Sequence, residues 1–398
     1  MRLLRWAAIT SLMTLLLTLG AAGGWFSFKK AAKARRASQA IRDVVPQDGV
    51  WHLADPGRTA RFDAAAGGHS GRRHWVFEAA GPIVSSAVES GGVVIVGSTD
   101  KHVYAVEADN GSLLWKFRTG AQVVAPAWAD SEQVFIGSRD SYLYAFHKQK
   151  GWLLWSLQVG SGVITSPIVV GDRILFGSED QRINIVERGD GALLRKVELR
   201  AALVGDLAYD RGVLFYATCR NSDQPSKSSG MVQGLSLEHM EPLWRYETQS
   251  CGFVTPSVIG EQVLIKASSG ELISLNRDTG EEVWRHAAGS AATAYTQSVA
   301  VLDPISYSVT TNVAEAFDYS SKERLWSVDI DTQNGVSAPV LSGSLLLYGI
   351  GKNLVAHDRW TGALNWQYTT DSGISAPAFV GEERIYIVTE SGKLHAIG

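Results

Sequence analysis

Few side chains in this sequence are of a type and spacing that does chemistry. The two cysteines, Cys219 and Cys251, stand 32 residues apart, and the nine histidines are scattered, with no two at metal-ligand spacing. Carboxylates recur: Asp100, Asp140 and Asp180 lie 40 residues apart, and Asp109 opens an Asp-Asn-Gly turn. Paired carboxylates in one cleft could share acid–base work or hold a cation. Carboxylates that return at a fixed interval beside Gly and Ser cap turns instead. The chain has no HExxH, CxxC, GxxxxGK or GxSxG, the spacings that zinc, redox, phosphate and acyl chemistry use. No catalytic, cofactor-binding or metal-binding residue is assigned, and the chain reads as a non-enzyme.

A repeat places those turns. GSLLWKFRTG at 111–120 returns as GWLLWSLQVG at 151–160, and the register runs Trp75, Trp115, Trp155, Arg195, Trp244, Trp284, Trp326, Trp366. Its steps are 40, 40, 40, 49, 40, 42 and 40 residues, with Arg195 where the pattern expects tryptophan. Six of the eight positions have glycine four residues earlier: Gly71, Gly111, Gly151, Gly191, Gly280 and Gly362. Within one period, 83–88, 93–98, 102–108 and 113–117 are short runs rich in Val, Ile and aromatics, divided by Gly, Asp and Asn. These are four strands, A to D. A sheet of that size cannot bury both faces alone, and repeats of 40-odd residues solve this by stacking around an axis. The expected fold is all-β, an eight-bladed β-propeller of four-stranded antiparallel blades. The last period stops after three strands, and a lone strand D at 72–77 precedes the first strand A, so an N-terminal strand should close the ring. The tryptophans are assigned to packing, each ring burying roughly 150–250 Å², on the order of 4–6 kcal/mol before entropy.

The composition agrees with a folded chain: 398 residues, 45% hydrophobic and 19% charged, with 40 glycines and 13 tryptophans. Residues 1–45 hold eight basic side chains and one acid, or +7, which leaves −10 for the rest of a chain of net charge −3. A mildly acidic body is a poor collector of phosphate backbones, so nucleic acid is not an expected partner. Residues 6–28 are uncharged and bordered by Trp6 and by Trp25, Phe26 and Phe28, long enough to span a bilayer. Residues 1–28 are read as a signal anchor or transmembrane helix, and the small residues at 20–24 leave a cleaved signal peptide as the alternative. Residues 29–71 are read as a basic juxtamembrane stem and linker, and 72–398 as the ring. Within the stem, 31–41 is either a short helix on anionic headgroups or solvated chain. The basic run Lys29, Lys30, Lys33, Arg35, Arg36 would by itself keep the body in the cytoplasm, although long domains are exported largely regardless of such charge.

The pattern in YAVEADNGSLLW (104–115) and NLVAHDRWTGALNW (353–366), with Thr165-Ser166-Pro167, Thr255-Pro256 and the Ser-Ala-Pro elements at 337–339 and 375–377, resembles the pyrroloquinoline-quinone-type propeller repeat. The resemblance spans 72–398 and implies the fold; fold alone does not imply activity. Two branches share the repeat: quinoprotein dehydrogenases, and the BamB family of eight-bladed scaffold subunits of the outer-membrane β-barrel assembly machinery. The first implies an adjacent-cysteine disulfide over its cofactor and a Ca²⁺ site beside a catalytic Asp. No adjacent pair exists here, so no cofactor is expected. Length and a bare ring resemble the second branch. That branch implies a periplasmic scaffold for envelope proteins such as the assembly machinery, here held to the inner membrane by its N-terminal helix.

Irregularities in a regular ring mark where a partner could bind. They gather in blades 3 to 5: Arg195, the D–A loop with Leu199 and Arg200, the polar insertion at 220–230, and the cysteines. In the BamB family a Leu-Arg element in one D–A loop and acids in the next contact the assembly partner. Leu199 and Arg200 match the element, whereas the next loop, 249–253, ends in Phe253 and has no acid. Arg195, Leu199, Arg200 and Phe253 are the candidate partner-binding residues. Cys219, ending a strand B, and Cys251, in a D–A connection, fall on one face, where they either bridge or remain two thiols. A bridge would mean an oxidising compartment. Residues 290–312 are read as a local irregularity of blade 6. The alternatives to a scaffold are a small-molecule- or quinone-binding ring and a subunit of another envelope complex.

Overall fold

In the computed structural model the described residues are 55, 58, 60–62, 70–220, 229–248, 255–267, 270–286, 298–330 and 335–398. The segment read as an N-terminal anchor lies outside them. Their strands form eight sheets. Blades 1 to 7 occupy 88–118, 128–158, 168–198, 202–248, 257–286, 300–329 and 340–369, each an antiparallel meander of strands A to D. Blade 8 takes its first three strands from Phe379–Val380, Ile385–Val388 and Lys393–Ile397. Its fourth is Arg73–Glu78, antiparallel to Lys393–Ile397. The ring is therefore closed by an N-terminal strand, as the truncated last period demands. Ser375 Oγ donates to the Ile83 carbonyl, and Ser86 Oγ donates to Pro377 O at 2.9 Å, tying blade 8 to blade 1.

Strands B, C and D fall where the sequence puts them, but strand A begins later. Blade 1 pairs only Val88–Ser90 rather than 83–88. In five blades a proline precedes the ladder: Pro126, Pro167, Pro256, Pro339 and Pro377. Proline has no N–H to give, so the continuous ladder starts after it, with only an isolated bridge ahead of it in blades 3, 7 and 8 (Val163↔Ser178, Val336↔Ile350 and Ile374↔Thr389). Residues 303–308, read as irregular, are an A–B turn at a cis Asp303–Pro304 bond running into the strand Ile305–Val309.

Strands B and C are buried on both sides, while strand D alternates, with the pattern LLWKFR exposing Leu113 and Leu114 and burying Trp115. Six indoles, of Trp75, Trp115, Trp155, Trp244, Trp326 and Trp366, each lie on the glycine that leads into strand D of the next blade. A β-carbon on Gly111, Gly151, Gly191, Gly280, Gly362 or Gly71 would stand 2.5–2.7 Å from the indole. Those glycines have φ between 66° and 75°, so left-handed backbone and lack of room both require glycine. Five of the indole N–H groups donate to the carbonyl three residues before that glycine, on Ala108, Lys148, Arg188, Arg277 and Arg359, at 2.6–3.1 Å.

Two seams depart from this. Their turns carry Met240 and Lys322, still left-handed at 55° and 61°. Facing Met240 the register residue is Arg195, exposed to solvent. Facing Lys322 it is Trp284, which donates to Gln262 Oε1 of its own blade at 3.0 Å and stacks on Tyr319 with ring centres 5.5 Å apart. At the first of these seams tryptophan and glycine are lost together; at the second the glycine alone is lost and the indole turns to Gln262 and Tyr319 instead.

Gly111→Ala should cost about 2–4 kcal/mol in denaturant unfolding, combining left-handed strain with overpacking against Trp75. Lys322→Ala, where a β-carbon already fits, should change stability by less than about 0.5 kcal/mol.

The closing blade also carries a pH response. His395 is buried, its Nδ1 3.0 Å from Tyr368 Oη and its Nε2 3.7 Å from Asp371 Oδ1. Burial pushes its pKa down to about 4, against the pull of Asp371. The unfolded chain thus binds a proton between about pH 6.5 and 4 that the folded chain refuses, so this stability is intact above 6.5 and is lost on acidification toward 4. Melting curves at pH 7 and 4.5 should show a destabilisation that His395→Gln reduces by on the order of 2 kcal/mol.

Candidate interaction face and axis

Strand A runs from one face of the ring to the other. The D–A and B–C connections therefore emerge together on the first face, and the A–B and C–D turns on the second. Leu199, Arg200 and Cys219 all sit at the first face. Leu199 is half-buried against the apolar core shared by blades 2 to 4, and its N–H donates to Gln181 O at 2.9 Å. That bond presents Arg200, which is exposed. Cys219 pairs across the ladder with Ala202, two residues beyond Arg200. Cys219 is disulfide-bonded; Cys251, the other cysteine of the chain, and Phe253 lie outside the described residues. Arg195 stands apart from this group, in mid-strand on the outer edge of blade 3, opposite Ile185.

Blade 4 rises above the first face. Its strands have 9, 8, 8 and 7 residues, whereas those of blade 3 have 3, 6, 6 and 6. The added pairs run from Ala202↔Cys219 to Val204↔Ala217 and from Thr218↔Met231 to Arg220↔Ser229. The insertion read as a polar loop at 220–230 is thus partly ladder: Arg220, Ser229 and Gly230 are paired strand residues.

The recurring carboxylates bind the chain rather than a substrate. Asp100 accepts from Ala80 N at 3.0 Å, His102 N at 2.9 Å and Tyr104 Oη at 2.7 Å. Asp140 repeats the pattern with Gly120 N, Tyr142 N and Tyr144 Oη. Each locks a D–A loop onto the next blade's B–C turn. Among the described residues no group of three or more His, Cys, Asp or Glu side chains is arranged to hold a metal.

The axis holds what the sequence reading did not anticipate. Arg61–Phe62, placed by sequence in the linker, is a strand parallel to Val340–Ser342, the innermost strand of blade 7. Leu341 N donates to Ala60 O at 2.8 Å, and the Phe62 ring meets Phe379 of blade 8 edge-on at 5.1 Å. Arg58 and Ala60 are fully buried. Arg58 Nε donates to Leu207 O of blade 4 at 2.9 Å, and its own carbonyl accepts from Ser257 Oγ of blade 5 at 3.0 Å. Burial pulls its pKa down while Asp206 and Asp55 push it up. Asp206 sits in a bulge of blade 4 between Val204 and Ala208. It accepts from Ser166 N of blade 3 at 2.7 Å, and its own N–H donates to Thr255 Oγ1 of blade 5 at 2.8 Å. The one available signal was Gly205-Asp206 standing where other blades have Ser-x-Pro: an acid on an axis calls for a cation.

This is an eight-bladed β-propeller with its axis filled by its own chain. The chain belongs to the outer membrane protein assembly factor BamB family, whose profile matches residues 56–202, 158–304 and 310–398. No curated protein is recognisably similar in sequence. Among solved structures, BamB from Moraxella catarrhalis aligns with a TM-score of 0.65 at 15% identity, over 81% of this chain and 97% of that one. Quinohemoprotein alcohol dehydrogenase from Comamonas testosteroni gives 0.73 at 12%, over 92% and 83%. A europium-containing methanol dehydrogenase gives 0.70 at 13%, over 88% and 91%. At these identities the likeness carries the fold and nothing finer. The residues here do not fit a quinone of the dehydrogenase type: adjacent cysteines are lacking, and Arg58, Ala60 and Phe62 occupy the axis.

Arg58→Met and Asp206→Asn should each lower stability by about 2–4 kcal/mol, because each leaves the other's charge behind. The double variant should lose clearly less than the sum in denaturant unfolding. Additive losses would show that the two do not interact.

Proposed function

We propose that this chain is a non-enzymatic scaffold of the bacterial envelope, acting in outer-membrane protein assembly through the first face of blades 3 to 5. The observation that carries the reading is where the departures from the repeat gather. The raised blade 4, the exposed Arg200 and the disulfide-bonded Cys219 share one face of the ring in a chain of the BamB family. A disulfide supports an oxidising compartment, and residues 6–28 supply the anchor that would hold the ring at the inner membrane. The loop at 249–253 lacks acids, so the contact is carried by Leu199, Arg200 and the blade 4 crest.

The second reading, a quinone- or other ligand-binding ring, draws on the dehydrogenase neighbours. The filled axis argues against it. In-cell cross-linking followed by tagged purification and mass spectrometry should recover barrel-assembly subunits. Arg200→Glu should reduce that recovery several-fold with an unchanged melting temperature. Undiminished recovery would remove the face assignment, and a melting-temperature rise on adding pyrroloquinoline quinone with Ca²⁺ would favour the second reading.

A further inference from the structure

The strand Arg61–Phe62 runs parallel to the innermost strand of blade 7. That strand, like every strand A, leads from the face of the D–A loops to the face of the A–B turns. The described axial residues therefore begin on the side of the first face, at Asp55, and end on the side of the second, at Phe62. The following strand, Arg73–Glu78, is a strand D and runs back from the second face to the first. The two directions agree: the described axial residues run down the axis to Phe62, and Arg73–Glu78 climbs the rim from the second face to the first. Along the axis it is held by blades 4 and 5 at Arg58, by blade 7 at residues 60–62 and by blade 8 at Phe62.

We infer that the ring is threaded on its own N-terminal segment, and that the threading turns the face of Arg200 and blade 4 toward the membrane holding residues 6–28. The inference rests on the reading of that segment as an uncleaved anchor. A stretch the length of residues 29–54 cannot reach further than roughly 90 Å even when fully extended, and the described axial residues begin, at Asp55, on the side of the first face. A partner reached through that face is accordingly one embedded in, or lying on, the same membrane, while the A–B and C–D turns look away from it.

The test uses the full-length protein in nanodiscs whose lipids carry a nitroxide headgroup, with a fluorophore on a single added cysteine. Glu179→Cys lies in a B–C turn of the first face and Lys150→Cys in a C–D turn of the second, both exposed. The faces are a strand length apart, about 20 Å, so quenching at 179 should exceed that at 150 by at least about twofold. Equal or reversed quenching overturns the orientation. A second arm probes the threading itself. Phe62→Cys with Ser342→Cys, neighbours in the ladder, should form a disulfide in the full-length chain, and so should Arg61→Cys with Leu341→Cys. Failure of both pairs overturns the threading. Bridges that form in a protein that does not enter nanodiscs keep the threading, but overturn the anchor reading and the orientation with it.

Discussion

An indole lying flat on a glycine is the contact on which the ring depends. No blade has a core of its own; its two faces are covered only by its neighbours, so each seam must be specified on both sides at once. Tryptophan supplies the area, and glycine supplies a turn with left-handed backbone and no β-carbon in the way. The indole N–H then fixes the register by reaching a carbonyl three residues before the glycine. Charged staples strengthen the same seams. Arg277, whose carbonyl receives Trp244, also reaches Asp210 in the A–B turn of blade 4 at 3.0 Å, and Arg188 does the same for Asp130 in blade 2. The paired loss of tryptophan and glycine between blades 3 and 4 follows from this reciprocity, while between blades 5 and 6 Trp284, facing Lys322, is kept by finding Gln262 and Tyr319 instead.

The same reciprocity decides what could be read from sequence. A contact repeated around the ring leaves a period, and the period gave the number of blades, three of the four strands in each, and the closing strand. Strand A was misplaced because an apolar-rich run at 83–88 looks like a paired strand, whereas the ladder there begins only at Val88. The height of blade 4 was hidden because 221–228 and its flanks are equally polar, and polarity does not separate a projecting ladder from a loop. The axial segment was invisible for a different reason. Arg58, Ala60 and Phe62 occur once, so no repeat marks them, and their partners are single residues scattered over blades 4, 5, 7 and 8. At the first face, Leu199, Arg200 and Cys219 were legible as breaks in the pattern; Asp206 was a break of the same kind and went unread because its partner lay in what looked like linker.

Fold neighbours with and without catalysis share this architecture, so the ring itself is neutral about chemistry. What separates the readings is the use of the axis. A propeller offers its central channel to a ligand, and here Asp206, Thr255 and Ser257 beside the axial segment are engaged with the protein's own backbone. An arginine buried there needs the carbonyl of Leu207 and the charge of Asp206 to be tolerable. That is a structural commitment to keeping the segment in place.

The arrangement of the ends has a consequence for biosynthesis. The strand Arg73–Glu78 leaves the ribosome near the beginning and its partner Lys393–Ile397 at the end, so at about 5–20 residues per second the first strand waits roughly 15–60 s for its mate. Throughout that interval the nascent chain is an open arc with an unpaired edge and uncovered faces, and the axial segment has none of its blade 7 and 8 contacts. Such a molecule depends on being shielded or kept unfolded while it is made or exported. Ring closure is then a single late event that completes the eighth blade and secures both ends of the threaded chain.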